Sequence, residues 1–381
     1  MPVRNSITAL PAAACWALAV FLLMPIQTGA AEDPIRIGAV FSLTGAGAGL
    51  GGPERHGALL AEKVINARGG VKGRPLKIVI EDDGSKADIA KSKAENLIYN
   101  EKVKAIIGPS LTASTGAVGA VTNGVPIVVI ACTGLGPKIE QTYTSLFHVL
   151  PPQTLNARAL LEYATRVAKA RRLGVLHDSG YGNVVMSAMK GVADSYQVEF
   201  TAVEKFEVGA TDVTTQAAKI KAANPDLVLV VATSPTPFRN ARQIGITQPI
   251  LAAVGSSSYE YVKGMGEFAD DITFAEFLVA ESPLPHQEEF VALYKKEYGT
   301  LPKTYEAAWW DAVHVIARGL EKAGADADAQ ALASAIRSPA QGVLAMYHFD
   351  RDDMTGIELS SYTYSKLVKG QFVRLPYTNP K

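Results

Sequence analysis

Residues 35–70 read IRIGAVFSLTGAGAGLGGPERHGALLAEKVINARGG, and they contain one complete unit of the fold. Ile35 to Phe41 is a short run of mostly apolar, branched residues, continuous rather than alternating, as in a strand buried on both faces. Beyond a glycine-rich stretch, Pro53 to Ala67 opens with a proline, places Leu59, Leu60, Val64 and Ile65 at helical spacing, and stops at Gly69-Gly70. This predicts a helix. The unit then recurs. Leu76 to Glu81, Ala105 to Ile107 and Ile127 to Ile130 read as strands, with helices over Ala87 to Tyr99 and Thr112 to Asn123 between and after them. Four such units in succession predict a parallel sheet with helices on both faces.

A second series follows Pro151-Pro152. Arg172 to Leu176, Val198 to Phe206 and Leu227 to Val231 read as strands, separated by helices near Leu155 to Lys169, Tyr181 to Ser195 and Asp212 to Ala222. Helix returns over Glu288 to Tyr298 and Tyr305 to Ala323, and the chain from Ala345 is strand-rich with a polar turn at Asp350 to Gly356. The expected class is α/β, with two doubly wound lobes. Ligands of such sheets bind where strand carboxyl ends meet, so the turns leaving the strands are the candidate site.

The amino terminus reads as an export signal over residues 1–31. Arg4 supplies the positive start, Ala12 to Met24 is apolar, and Thr28-Gly29-Ala30-Ala31 offers a small-residue cleavage site. The apolar run is too short to cross a bilayer core of about 30 Å as a helix. Removing it leaves Cys132 as the mature chain's only cysteine, so no internal disulfide can form. The 37 basic and 37 acidic residues balance, giving no field that would gather nucleic acid or anionic lipid. The mature chain is read as a monomer.

Several motifs carry candidate chemistry. Gly47-Ala48-Gly49-Leu50-Gly51-Gly52 fits the dinucleotide fingerprint G-x-G-x-x-G, but it comes only after the extra residues Ser42 to Ala46. The next strand-end carboxylates, Glu81 and Asp82, are also distant. No cofactor is expected, and the segment reads as a flexible loop whose glycines let backbone approach a ligand. In Gly108-Pro109-Ser110-Leu111-Thr112-Ala113-Ser114-Thr115 a strand turns into a helix under a mass of hydroxyls. Thr112 is either an N-cap or, with the helix N–H groups and dipole, part of a carboxylate cradle. Ile130-Ala131-Cys132-Thr133-Gly134 ends the adjacent strand and adds a hydroxyl. Asp178-Ser179-Gly180-Tyr181-Gly182 would point Tyr181 into the same cleft from the other lobe. Cys132 lacks catalytic company and the histidines are scattered, so neither an enzyme nor a metal site is expected. Trp309-Trp310, in a helical stretch with Tyr305, reads as core.

The sequence resembles the leucine/isoleucine/valine-binding proteins of bacterial ABC importers, which have the type I periplasmic binding fold. The resemblance is carried by Ile35 to Val40 with Ser42-Leu43-Thr44-Gly45, by Ile65 to Leu76 with Asp82-Asp83, by Ile106-Ile107-Gly108-Pro109, and by Tyr181-Gly182. It implies three crossings, near Leu150, Ala280 and Tyr347, forming a three-strand hinge. One lobe would then comprise residues 32–150 and 280–346, the other 151–279 and 347–381. It further implies that Thr112, Thr133 and the Ala131 backbone hold a ligand carboxylate, with Tyr181, Leu50, Thr233 and Gly255 completing the contacts. Leu50 stands where the family often has an aromatic residue, and the segment Ala252 to Ser257 around Gly255 lacks the acidic partner often offered to an amino group. Glu260 or Glu276 could replace it. Ser85 and Leu111 hold the places of the family's disulfide. The solute is therefore an amino acid, or an aromatic or aliphatic acid without an amino group. The implied partner is an ABC permease in the inner membrane and the implied location the periplasm. The alternative use of the same fold is a ligand-sensing receptor module.

Overall fold

The computed structural model describes residues 1–3, 33–132, 142–143, 145–351 and 354–380. Most of the expected export signal, and Thr133, lie outside the described residues. Pro34–Lys381 forms one compact unit.

Strand β1 (Ile35–Phe41) is buried at six of its seven positions, which explains its nearly continuous apolar run; the exposed position is Arg36. It lies between β2 (Leu76–Asp82) and β3 (Ala105–Ile107); β4 (Val128–Ala131) and β5 (Leu146–His148) extend the sheet in the order β2-β1-β3-β4-β5. All four pairings are parallel. The crossovers carry α1 (Ala48–Ala67), α2 (Ala87–Tyr99) and α3 (Thr112–Thr122).

Helix α4 (Gln153–Glu162) continues as a π turn over Tyr163–Val167 and leads into a second sheet. Its strands are β6 (Arg172–Asp178), β7 (Glu199–Phe206), β8 (Leu227–Val231), β9 (Ile250–Ala252) and β10 (Ile272–Glu276), with helices α5 (Tyr181–Tyr196), α6 (Thr214–Ala223), α7 (Thr236–Gln243) and α8 (Tyr259–Met265) between them. Beyond β10 the chain forms α9 (Glu288–Tyr298), α10 (Thr304–Ala323) and α11 (Ala329–Ile336). A two-strand ladder of β11 (Ala340–Gln341) and β12 (Met346–Tyr347) follows. Finally β13 (Thr363–Val368) and β14 (Gln371–Arg374) add an antiparallel hairpin to the second sheet, whose order is β14-β13-β10-β9-β8-β6-β7.

Helix α10 returns to the first sheet and lies along α1. The two backbones approach so closely that a Cβ on Gly57 would stand 1.9 Å from the Glu306 carbonyl oxygen. Trp309 of α10 is fully buried, its ring 5.2 Å edge-on from Phe41 of β1, which bears out the reading of Trp309-Trp310 as core. One expectation is corrected. Pro53 does not open α1; the helix begins at Ala48, and the glycine stretch forms its first turns rather than a flexible loop. Packing compensates for the unfavourable composition, because a Cβ on Gly51 would stand 2.2 Å from the Ser42 carbonyl oxygen.

A buried ion pair ties the halves together where the chain passes between them. Lys303, just before α10, meets Glu276 at the end of β10, and both side chains are fully buried. Ser257 (2.6 Å) and Ser365 donate hydroxyl hydrogen bonds to the Glu276 carboxylate. The Lys303 ammonium also donates to the Leu278 carbonyl at 3.2 Å and lies 3.4 Å from the Phe372 ring centroid. Burial pulls the Lys303 amine below its usual range, and Glu276 acts against that. Removing one partner leaves the other charge in a dry site. Lys303→Met is expected to lower unfolding stability by about 3–5 kcal/mol in urea denaturation, and Lys303→Met with Glu276→Leu to recover more than half of the loss. A single variant as stable as the unsubstituted protein would contradict this assignment.

Candidate functional site

Parallel strands deliver their next residues to the carboxyl edge of the sheet, and the loops there must find hydrogen bonds for their backbone. After β1, Asp82 supplies them. Its carboxylate accepts the Leu43 N–H at 2.9 Å, the Thr44 N–H at 3.2 Å and the Thr44 hydroxyl at 2.7 Å. Burial pushes its carboxyl up, but the Thr44 hydroxyl and the amides of Gly84, Thr44 and Leu43 together hold it below the ordinary range. Asp83 accepts the Ser42 hydroxyl at 2.7 Å. Ser85 donates to the Thr44 carbonyl at 2.7 Å and accepts the Gly47 N–H at 2.9 Å, fastening the entry to α1.

On the second sheet, Asp178 ends β6 and plays the matching part. One carboxylate oxygen accepts the N–H groups of Gly180 (3.0 Å) and Gly182 (2.7 Å), the other the N–H and hydroxyl of Thr233 (2.9 and 3.2 Å). Burial still raises its carboxyl above the usual range, against those four donors. Asp178 thereby fixes the turn that carries Tyr181 and joins it to the end of β8.

Between these two edges lies a cavity of about 360 Å³. The first sheet contributes Ala46, Leu50, Ser85, Ser110, Leu111, Thr112, Ala113 and Cys132, the second Ser179, Gly180, Tyr181, Val208 and Thr233, and α10 contributes Tyr305. No lining side chain among the described residues is formally charged. The first turn of α3 forms part of the wall, and a helix start presents N–H groups and the positive end of its dipole.

The structure brings together Leu50, Thr112, Tyr181 and Thr233 at this cavity. Ala131 lies one residue behind the lining position Cys132, its carbonyl accepting the Val149 N–H at 3.4 Å. Gly255 sits behind Tyr181, where a Cβ would meet that ring at 2.8 Å. Thr112 is not the N-cap: Leu111 holds that position and makes no side-chain cap, so Thr112 is the first helical residue. The two carboxylates considered as partners for an amino group are placed elsewhere. Glu276 is engaged by Lys303, Ser257 and Ser365, and Glu260 faces a separate groove beside Tyr294 and Tyr298.

Sequence reasoning missed Ser110 and Tyr305 as lining residues and Glu54 behind them. Glu54 is fully buried, and its Oε2 accepts the Ser110 hydroxyl. Cys132 is also buried; burial and the Glu54 carboxyl push its thiol well up, which leaves it no nucleophilic character.

The two halves touch around the cavity. A Cβ on Gly49 would stand 2.4 Å from the Tyr261 ring, and one on Gly209 would stand 3.3 Å from the Ala46 Cβ. A cavity of this size between two sheet edges has the dimensions of a small-molecule site.

The profile of the family described as periplasmic binding protein matches residues 34–358. The chain belongs to that family. This binding protein is 26% identical over 313 residues to a leucine-, isoleucine-, valine-, threonine- and alanine-binding protein of Pseudomonas aeruginosa, covering 81% of the chain and 83% of the relative. It is 26% identical over 260 residues to the Leu/Ile/Val-binding protein of Escherichia coli, covering 67% and 71%. Among solved structures it resembles the branched-chain amino acid transporter substrate-binding protein LivJ of Streptococcus pneumoniae in complex with isoleucine. The TM-score is 0.80 at 25% identity, over 90% of this chain and all of the other. The leucine-binding protein LivK of Thermotoga maritima matches with a TM-score of 0.81 at 22% identity, over 91% and 99%. The binding protein thus has the two-lobed type I periplasmic fold.

Gly49 has no room for a side chain while Tyr261 stands against it. Gly49→Val is therefore expected to hold the lobes apart, raising the radius of gyration in small-angle scattering relative to the unsubstituted protein. An unchanged scattering profile would contradict the close contact.

Proposed function

We propose that the protein is the extracytoplasmic solute-binding component of an ABC importer, capturing a small carboxylate by closing two lobes over it and catalysing nothing. One observation carries the reading: a chamber of about 360 Å³ between two sheet edges, with the first turn of α3 in its wall and no charged side chain among the described lining residues. Such a wall favours one negative charge at the helix start and apolar or neutral groups elsewhere.

The rest of the assignment follows the chain's path. Residues 1–31 direct export. Residues 32–150 and 280–346 form one lobe and 151–279 and 347–381 the other, the three crossings acting as the hinge. Thr112 and Thr133 hold the carboxylate with the strand end at Ala131, Leu50 and Thr233 shape the chamber, and Tyr181, backed by Gly255, covers the solute from the second lobe. The closed form is what a permease in the inner membrane would recognise. The protein acts as a monomer.

Energetics set the division of labour. The helix dipole contributes about 0.3–1 kcal/mol, while micromolar affinity needs about 8 kcal/mol. Burial of the solute's apolar body against Leu50, Leu111, Tyr181 and Tyr305 must contribute most of it.

The named relatives bind branched-chain amino acids, and L-leucine is a fitting probe. The uncharged lining favours a solute without an ammonium group, because a buried ammonium facing no carboxylate is costly. A thermal-shift panel of amino acids against aromatic, keto and fatty acids decides the class. The expected result is a rise in melting temperature with acids lacking the amino group, and a rise with amino acids alone would overturn that preference. Thr112→Ala is expected to weaken binding of the stabilising acid by about 1–3 kcal/mol in titration calorimetry. Unchanged affinity would remove Thr112 from the contact set.

A further inference from the structure

One polar side chain in the core is left unused by the reading above. Glu54 projects from α1 into the space between the first sheet and α10, and it is wholly buried without an ion pair among the described residues. Its Oε2 accepts the Ser110 hydroxyl, while its Oε1 has no hydrogen-bond partner among the described residues. Ser110 in turn lines the solute chamber, and its oxygen accepts the Ser42 N–H at 3.0 Å.

A serine hydroxyl has one proton and two lone pairs. With Glu54 ionised, that proton is committed to Glu54 and one lone pair to the Ser42 N–H, so only a single oxygen lone pair remains for the chamber; it would repel a carboxylate. With Glu54 protonated, the carboxyl O–H can donate to Ser110 instead. The Ser110 oxygen then accepts from Ser42 and Glu54, and its own proton becomes available to the chamber.

We propose that the Ser110 hydroxyl is a two-position relay, so that capture of an anionic solute beside it takes up one proton from solvent onto Glu54. The proposal rests on the reading that the solute carries a carboxylate. The proton adds to a Glu54 oxygen, the Ser110 O–H turns from Glu54 to the solute, and no other bond changes. Glu54 is thus a positioning residue that never touches the solute.

The surroundings agree. Facing Glu54 are Ser110, Trp309, Asp83 and Cys132, with Tyr261 and Tyr305 beyond them. Burial raises its carboxyl to about 7; Ser110, Trp309 and Cys132 draw it down, and Asp83 pushes it up. A second anion next to Ser110 raises Glu54 further. Because the bound form holds the proton more tightly, affinity is highest below about pH 7 and falls towards tenfold per pH unit above it.

The experiment is calorimetric titration with L-leucine, phenylacetate and 4-methyl-2-oxopentanoate, in buffers of differing ionisation enthalpy between pH 6 and 8.5. For whichever probe binds, the expected result at pH 8 is uptake of about one proton per bound molecule and an affinity at least tenfold lower at pH 8.5 than at pH 6.5. In Glu54→Gln the side-chain amide donates permanently to Ser110, and both proton uptake and the pH slope are expected to vanish. Binding without proton uptake, or a Gln variant that keeps the slope, overturns the relay and leaves the solute reading standing. Binding by none of the carboxylates overturns both. The measurement on the unsubstituted protein decides the matter even if the variant does not fold.

Discussion

The Ser110 hydroxyl stands where three elements of the first sheet meet. It accepts the N–H of Ser42 just after β1, donates to Glu54 of α1, and opens onto the chamber two residues before α3. The approach of α1 to the β1 loop, the placing of the α3 start in the wall, and the neutral lining all depend on that arrangement. The second sheet repeats the logic with a different residue. Asp178 gathers four donors at the end of β6 and presents Tyr181 opposite. In each half a buried acid organises the loops, and neither Glu54 nor Asp178 is among the residues lining the chamber.

Such a chamber must also open, and interactions between the halves reflect this. Contacts near its mouth are small, with glycine against tyrosine and glycine against alanine. They can separate without stranding a charge. Where the chain passes between the sheets the opposite holds. Lys303 and Glu276 are dry, hydrogen-bonded and costly to part. A firm joint on one side and light contacts on the other are what hinge motion requires.

Much of this was readable in the sequence, for identifiable reasons. Strands such as Ile35–Phe41, interrupted only by Arg36, and Leu227–Val231 show nearly continuous apolar runs because both faces are covered, and helices such as Ala87–Tyr99 show clean periodicity. Strands of three residues, Leu146–His148 and Ile250–Ala252, are too short to show a period. The first turns of α1 were hidden because glycine and proline oppose helix locally, and tertiary packing overrides them. Glu54 did leave a signal: it falls on the same stripe as Gly57, Ala58, Ala61 and Ile65, a lone acid on the buried face of α1. What no pattern could show is the pairing across the molecule, such as Lys303 with Glu276 or Tyr181 with Gly255, since neither partner is unusual alone.

In the proposed complex a carboxylate sits at the start of α3 with the second lobe closed over it. A crystal structure with the acid that raises the melting temperature most tests this directly. The carboxylate is expected within hydrogen-bond distance of the α3 first turn and Ser110, with Tyr181 against the solute's other end. A carboxylate found on the second lobe, or in the groove beside Tyr294 and Tyr298, would contradict it.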